Sequence, residues 1–233
     1  MKNKILYTVI ILVLTLSFLL TSCNNEIEEK GTTIVCLGDS LTAGYGATTP
    51  GVDDKSKSYP FFLQSKVNLP VVNAGVSGDT SAHGLARVNK DVLSHDPQIV
   101  IILLGANDFF SNLLNPTPVV TTKNNLLEII KKVNNGIREI YLVKFYTPAV
   151  ALELGSSNGI PNELVQDLIN QYDAMFNSLA SEKNVTLIED IWSGIYGVHM
   201  SDQVHPNAAG YEIMANLIFN AMEPYLKSGG YLK

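Results

Sequence analysis

Cysteine is nearly absent: Cys23 and Cys36 are the only two in a chain of 233 residues. With so few, no disulfide framework is available, and the fold must hold through an apolar core. Charge is also sparse, at 16% of residues, with 16 Lys and Arg against 22 Asp and Glu for a net charge of −6. No basic stripe or arm breaks that balance, which argues against a nucleic-acid partner. Several chemical signatures are missing too. There is no Gly-Lys-Ser/Thr phosphate loop, and the glycines around Tyr45 lack the third glycine of a dinucleotide fingerprint. Leu41 and Thr42 follow Ser40 where a Gly-x-Ser-x-Gly elbow would place its glycine. No cysteine pair or His-x-x-x-His spacing suggests a metal.

What the chain does have is apolar bulk, 46% of residues, enough for one sizeable domain. Its start reads as an export signal: Lys2 and Lys4, then an uncharged run from Ile5 to Leu20, then small residues. Leu20-Thr21-Ser22-Cys23 resembles a bacterial lipobox, which implies lipidation of Cys23 and cleavage just before it. An uncleaved membrane anchor is the alternative. Either reading tethers the remaining chain to a membrane outside the cytoplasm; the lipobox reading makes it an exported bacterial lipoprotein on the periplasmic or cell-surface side. Asn24 to Gly31 is polar and without period, a short tether. The expected parse is a signal peptide over 1–22, a tether over 23–31 and one domain over 32–228, with the last residues frayed.

Five short runs are rich in Val and Ile and apolar on successive residues: 33–37, 70–74, 98–104, 139–146 and 185–190. Continuous rather than alternating apolarity fits parallel strands covered on both faces. Cys36 lies inside the first run and reads as a small buried hydrophobe. Helical periods fall between the runs. One stripe joins Val119, Lys123, Leu126, Leu127, Ile130 and Val133, with Gly136 as its stop. A second joins Leu164, Leu168, Tyr172, Met175, Phe176 and Leu179. A last helix begins near Pro206, a residue suited to a first turn. Strand-helix alternation of this kind predicts an α/β fold, a three-layer α/β/α sandwich around a doubly wound parallel sheet of about five strands.

In such sheets ligands bind beyond the carboxyl ends of the strands. The polar clusters of this chain fall there: Gly-Asp-Ser at 38–40, Gly-Asp-Thr at 78–80, Gly-Ala-Asn-Asp at 105–108, and "SDQVHPN" after the fifth run. Ser40 has two readings, a helix N-cap or a nucleophile exposed on a strand-turn-helix. His205 stands three residues after Asp202, so one loop supplies a base and a group to fix its tautomer. His199 is the rival base, whereas His83 and His95 read as surface residues. Backbone N–H groups of Ser40 and Gly78 and the Asn107 amide are candidate donors to an oxyanion.

Four stretches, "GDSLTAGYG", "VVNAGVSGDTSAHGLAR", "ILLGANDFF" and "SDQVHPNAAGY", together resemble the SGNH hydrolase (GDSL esterase/lipase) family, nearest its bacterial thioesterase/lysophospholipase/arylesterase branch. The resemblance implies a flavodoxin-like sheet, Ser40 as nucleophile, His205 as base, Asp202 as its partner, and Ser40, Gly78 and Asn107 as the oxyanion hole. It implies an acyl-ester or lysolipid substrate, an acyl-enzyme intermediate, no cofactor and a monomer. Phe109-Phe110 and a long segment, Thr147 to Leu164, depart from the branch where its acyl pocket should lie. Phe109 and Phe110 are therefore candidates for lining that pocket, or else core residues. Two rivals share these residues: an esterase removing O-acetyl groups from glycans, and a surface lipoprotein that binds without turnover.

Overall fold

The computed structural model describes residues 30–114, 118–182 and 184–233. The export signal and Cys23 lie outside them. Five strands form one sheet: β1 (Thr33–Gly38), β2 (Val71–Gly75), β3 (Pro97–Leu103), β4 (Glu139–Val143) and β5 (Val185–Ile188). Their order is β2-β1-β3-β4-β5 and every pairing is parallel. This is the flavodoxin-like order that the resemblance implied. All seven residues of β3 are buried, as its unbroken apolar run requires of a strand covered on both faces.

Eight α-helices are described: α1 (Ser40–Ala43), α2 (Tyr59–Gln64), α3 (Ser81–Asp91), α4 (Ala106–Leu114), α5 (Val119–Val133), α6 (Pro148–Ser157), α7 (Asn162–Ala180) and α8 (Ala208–Gly229). Helix α3 packs on α5 and α5 on α7, making one layer; α2 packs on α8, making the other. Gly31 and Thr32 enter the sheet at its amino edge, where the Thr32 N–H donates to the Asp96 carbonyl just before β3. Ser40 leaves it at the carboxyl edge.

The buried stripes differ in detail from the sequence pattern. In α7, Val165 and Ile169 turn inward with Tyr172, Met175, Phe176 and Leu179, whereas Leu164 is 63% exposed. The 3.6-residue period leaves the first turn's phase open by one residue, and packing on α6 and β5 settles it. In α5, Thr122 and Ile129 are buried and Leu127 sits at the flank; the Thr122 hydroxyl donates to Asp108. That helix stops at Val133, three residues before Gly136. Pro206 precedes the last helix instead of opening it: it bridges Met200, and Asn207 caps the helix by accepting from the Gly210 N–H. The chain end is not frayed. Leu232 bridges Val67, and the Lys233 N–H donates to the Lys66 carbonyl.

Candidate active site

Ser40 is the first residue of α1, not its cap. Asp39 caps the helix, its Oδ1 accepting from the Leu41 N–H at 3.0 Å. The cap reading of Ser40 is thereby overturned, and its hydroxyl is not taken up in capping. One turn of helix is held tightly against β2. A Cβ on Gly75 would stand 2.3 Å from the Ala43 nitrogen, so only glycine lets α1 approach this closely. Asp39 is fully buried, and its Oδ2 has no hydrogen-bond partner among the described residues. Burial pushes its carboxyl up to about 7, against the Leu41 N–H and with the help of Asp79 and Asp108.

His205 closes on Ser40 from the far end of the chain, Nε2 lying 3.0 Å from Oγ. On the other side of the ring Nδ1 is 2.8 Å from Asp202 Oδ2. Asp202 Oδ1 also accepts from the backbone N–H groups of Val204 and His205, both at 2.8 Å. The carboxylate thus folds its own loop while it orients the imidazole. Partial burial works against its charge, but these three donors outweigh it and hold the carboxyl below the usual range. The loop is also tied to the side of the molecule that carries Ser40. The Ala208 N–H donates to the Ala47 carbonyl at 2.9 Å, and the Tyr45 ring lies 4.5 Å from the imidazole. The Tyr211 hydroxyl in turn holds the Tyr45 carbonyl at 2.9 Å. His199 contributes its carbonyl to Asn207 and does not reach this cavity.

The candidate oxyanion donors sit on neighbouring loops. Asn107 lines the same cavity as Ser40 and His205. Its Nδ2 donates to the Asp79 carbonyl at 2.8 Å, which spends one amide hydrogen and aims the other. Gly78 has φ +85°, a left-handed conformation; it precedes Asp79 and lies outside the residues that line the cavity. Arg87 holds this corner together. Its guanidinium donates to Asp79 at 2.6 Å, to the Ala74 carbonyl at 2.7 Å and to the Gly38 carbonyl at 2.9 Å, joining the ends of β1 and β2 to the Asp79 loop. Reading the sequence missed Arg87, Asp39 and Tyr45 as parts of the site.

A cavity of about 110 Å³ opens beside Ser40. Phe109 and Phe110 both line it, with Phe145 and Tyr146 after β4. Phe109 is also core, so the two expected fates of that ring are not exclusive. Val150, Ala151 and Leu154 of α6 form another wall, so the long segment after Thr147 is part of the pocket. The single tryptophan, Trp192, completes it, its Nε1–H donating to the Phe145 carbonyl at 2.8 Å. Trp192 follows β5 at the carboxyl edge, a position that itself could have flagged it.

A parallel α/β/α scaffold with serine, imidazole and carboxylate converging at its carboxyl edge defines a hydrolase class. The chain belongs to the GDSL-like Lipase/Acylhydrolase family, whose model matches residues 36–213. It is a carboxylic ester hydrolase. It is 29% identical over 197 residues to thioesterase 1/protease 1/lysophospholipase L1 of Escherichia coli (strain K12), covering 82% of this chain and 84% of that one. It is 26% identical over 207 residues to the esterase TesA of Pseudomonas aeruginosa, covering 85% and 92% respectively. The fold is similar to that of the psychrotrophic esterase EstA from Pseudoalteromonas sp., with a TM-score of 0.65 at 23% identity, over 84% of this chain and 99% of that one.

Proposed function

We propose that Ser40, His205 and Asp202 form the catalytic triad of a serine esterase acting through an acyl-enzyme. One observation carries this reading: His205 Nε2 stands 3.0 Å from the Ser40 hydroxyl while Nδ1 is 2.8 Å from Asp202. With Nδ1 protonated toward the carboxylate, Nε2 accepts the Ser40 proton as Oγ attacks the ester carbonyl. The Asn107 amide and the Ser40 and Gly78 N–H groups receive the charge that develops on the carbonyl oxygen. His205 returns the proton to the leaving alcohol. Water then attacks the acyl-Ser40 ester, giving its proton to His205, and the acid departs with Ser40 restored.

A monomer belongs to this reading by analogy with the family that the sequence resembles. An anchor through lipidated Cys23, outside the cytoplasm, belongs to the same reading and rests on the sequence of residues 2–23. The names of the relatives support acyl esters and thioesters as the substrate class. The small cavity favours esters of short acids within it, O-acetyl groups of glycans included.

The triad is tested by substitution. Ser40→Ala should abolish hydrolysis of p-nitrophenyl butyrate and labelling by a fluorophosphonate, with an unchanged thermal melt. His205→Ala should be inactive and His199→Ala close to wild type. Full activity in Ser40→Ala would refute the mechanism, and inactivity confined to His199→Ala would reassign the base.

A further inference from the structure

We propose that α6 closes the acyl pocket of this esterase at acyl groups of about four carbons, so that short-chain esters are its substrates and long-chain lysolipids are not. The proposal rests on the ester-hydrolysis reading above and narrows its substrate. Size comes first. The cavity beside Ser40 measures about 110 Å³. An apolar cavity of roughly 150 Å³ accepts a six-carbon ring such as benzene, which scales to about four carbons here.

The walls are braced, so this size is not a soft limit. The Phe109 ring stacks on Tyr146 at 5.4 Å and meets Tyr172 edge-on at 5.1 Å. Each of those tyrosines is pinned from behind. The Tyr146 hydroxyl donates to Asp173 at 2.8 Å, and Lys144 pairs with the same carboxylate at 3.1 Å. The Tyr172 hydroxyl accepts from the Asn112 amide at 3.2 Å. Rings held by both packing and hydrogen bonds cannot swing away to admit a longer chain without unpairing buried polar groups.

Opposite these rings stands α6, with Ala151 and Leu154 facing the cavity and almost fully buried. The helix has nowhere to retreat. A Cβ on its Gly155 would lie 2.3 Å from the Val165 side chain, so α6 already rests backbone to side chain on α7. A fifth or sixth acyl carbon would have to displace α6 or Leu154. Within an apolar pocket one methylene changes discrimination by roughly 10-fold or more.

The test is the acyl-chain profile of the full-length protein in detergent, with p-nitrophenyl acetate, butyrate and octanoate. Active sites are counted by fluorophosphonate titration, so that a poorly folded variant does not distort the result. Wild type should show kcat/KM for octanoate at least ~10-fold below butyrate. Leu154→Ala should raise the octanoate-to-butyrate ratio by ~10-fold, and Ala151→Leu should lower the butyrate-to-acetate ratio by a similar factor. Octanoate turned over as well as butyrate by wild type would overturn the size limit. Ratios unmoved in both variants would overturn the role of α6. No turnover of any of the three esters would instead refute the esterase reading itself, and this limit with it.

Discussion

Asp39 is the residue on which local energetics and chemistry press hardest. It lies beside Ser40, fully buried, and keeps its proton to about 7 against an ordinary value of 3.8. The folded state therefore binds this proton where the unfolded chain has lost it. The stability it contributes is complete below about 3.8 and is lost as the pH rises through about 7. Asparagine would keep the acceptor for the Leu41 N–H and could not ionise. We expect Asp39→Asn to gain stability relative to wild type on going from about pH 5 to about pH 8, read from paired thermal melts. An identical pH dependence in both proteins would refute that assignment. Ser40, Asp202 and His205 were legible in the sequence because each stands in a short motif at the end of a strand or before a helix. The state of Asp39 was not, because depth of burial depends on layers contributed by distant segments. Nor was the contact of Tyr45 with His205, which joins residues 160 positions apart.

At the scale of elements, the site depends on how β1, β2 and the loops after them are joined. Arg87 makes that joint from α3, with side-chain exposure of 14% against 12% for its partner Asp79. Removing the guanidinium would strand a buried carboxylate and two strand-end carbonyls. We expect Arg87→Met to cost about 3 kcal/mol in urea unfolding. Because Asp79 positions Asn107, kcat should fall more than KM changes. Arg87→Lys should rescue little, since an ammonium cannot span three acceptors in a plane. A stable, fully active Arg87→Met protein would show the joint to be dispensable. The strands themselves were readable from their unbroken Val and Ile runs, to within a residue or so at most ends. The helical stripes were readable in kind but not in phase: Leu164 reads as apolar face in the sequence and stands in solvent in the fold. Periodicity identifies an amphipathic helix, and only the neighbouring layer decides which of two adjacent residues faces in.

Taken whole, the molecule is polar in the mechanical sense. The described chain begins at the amino edge of the sheet and Ser40, His205 and Asp202 meet at the carboxyl edge, with the six residues of β1 between them. At roughly 3.3 Å per residue that strand alone spans about 20 Å. Residue 30 therefore joins the domain on the side opposite the Ser40 cavity. We expect immobilisation through a tag fused ahead of residue 30 to leave hydrolysis of p-nitrophenyl butyrate as fast as in free solution. A several-fold loss of turnover on immobilisation would contradict this layout. A handle on that side leaves the mouth of the cavity unobstructed, so whatever holds the domain and whatever it acts on meet it from opposite directions.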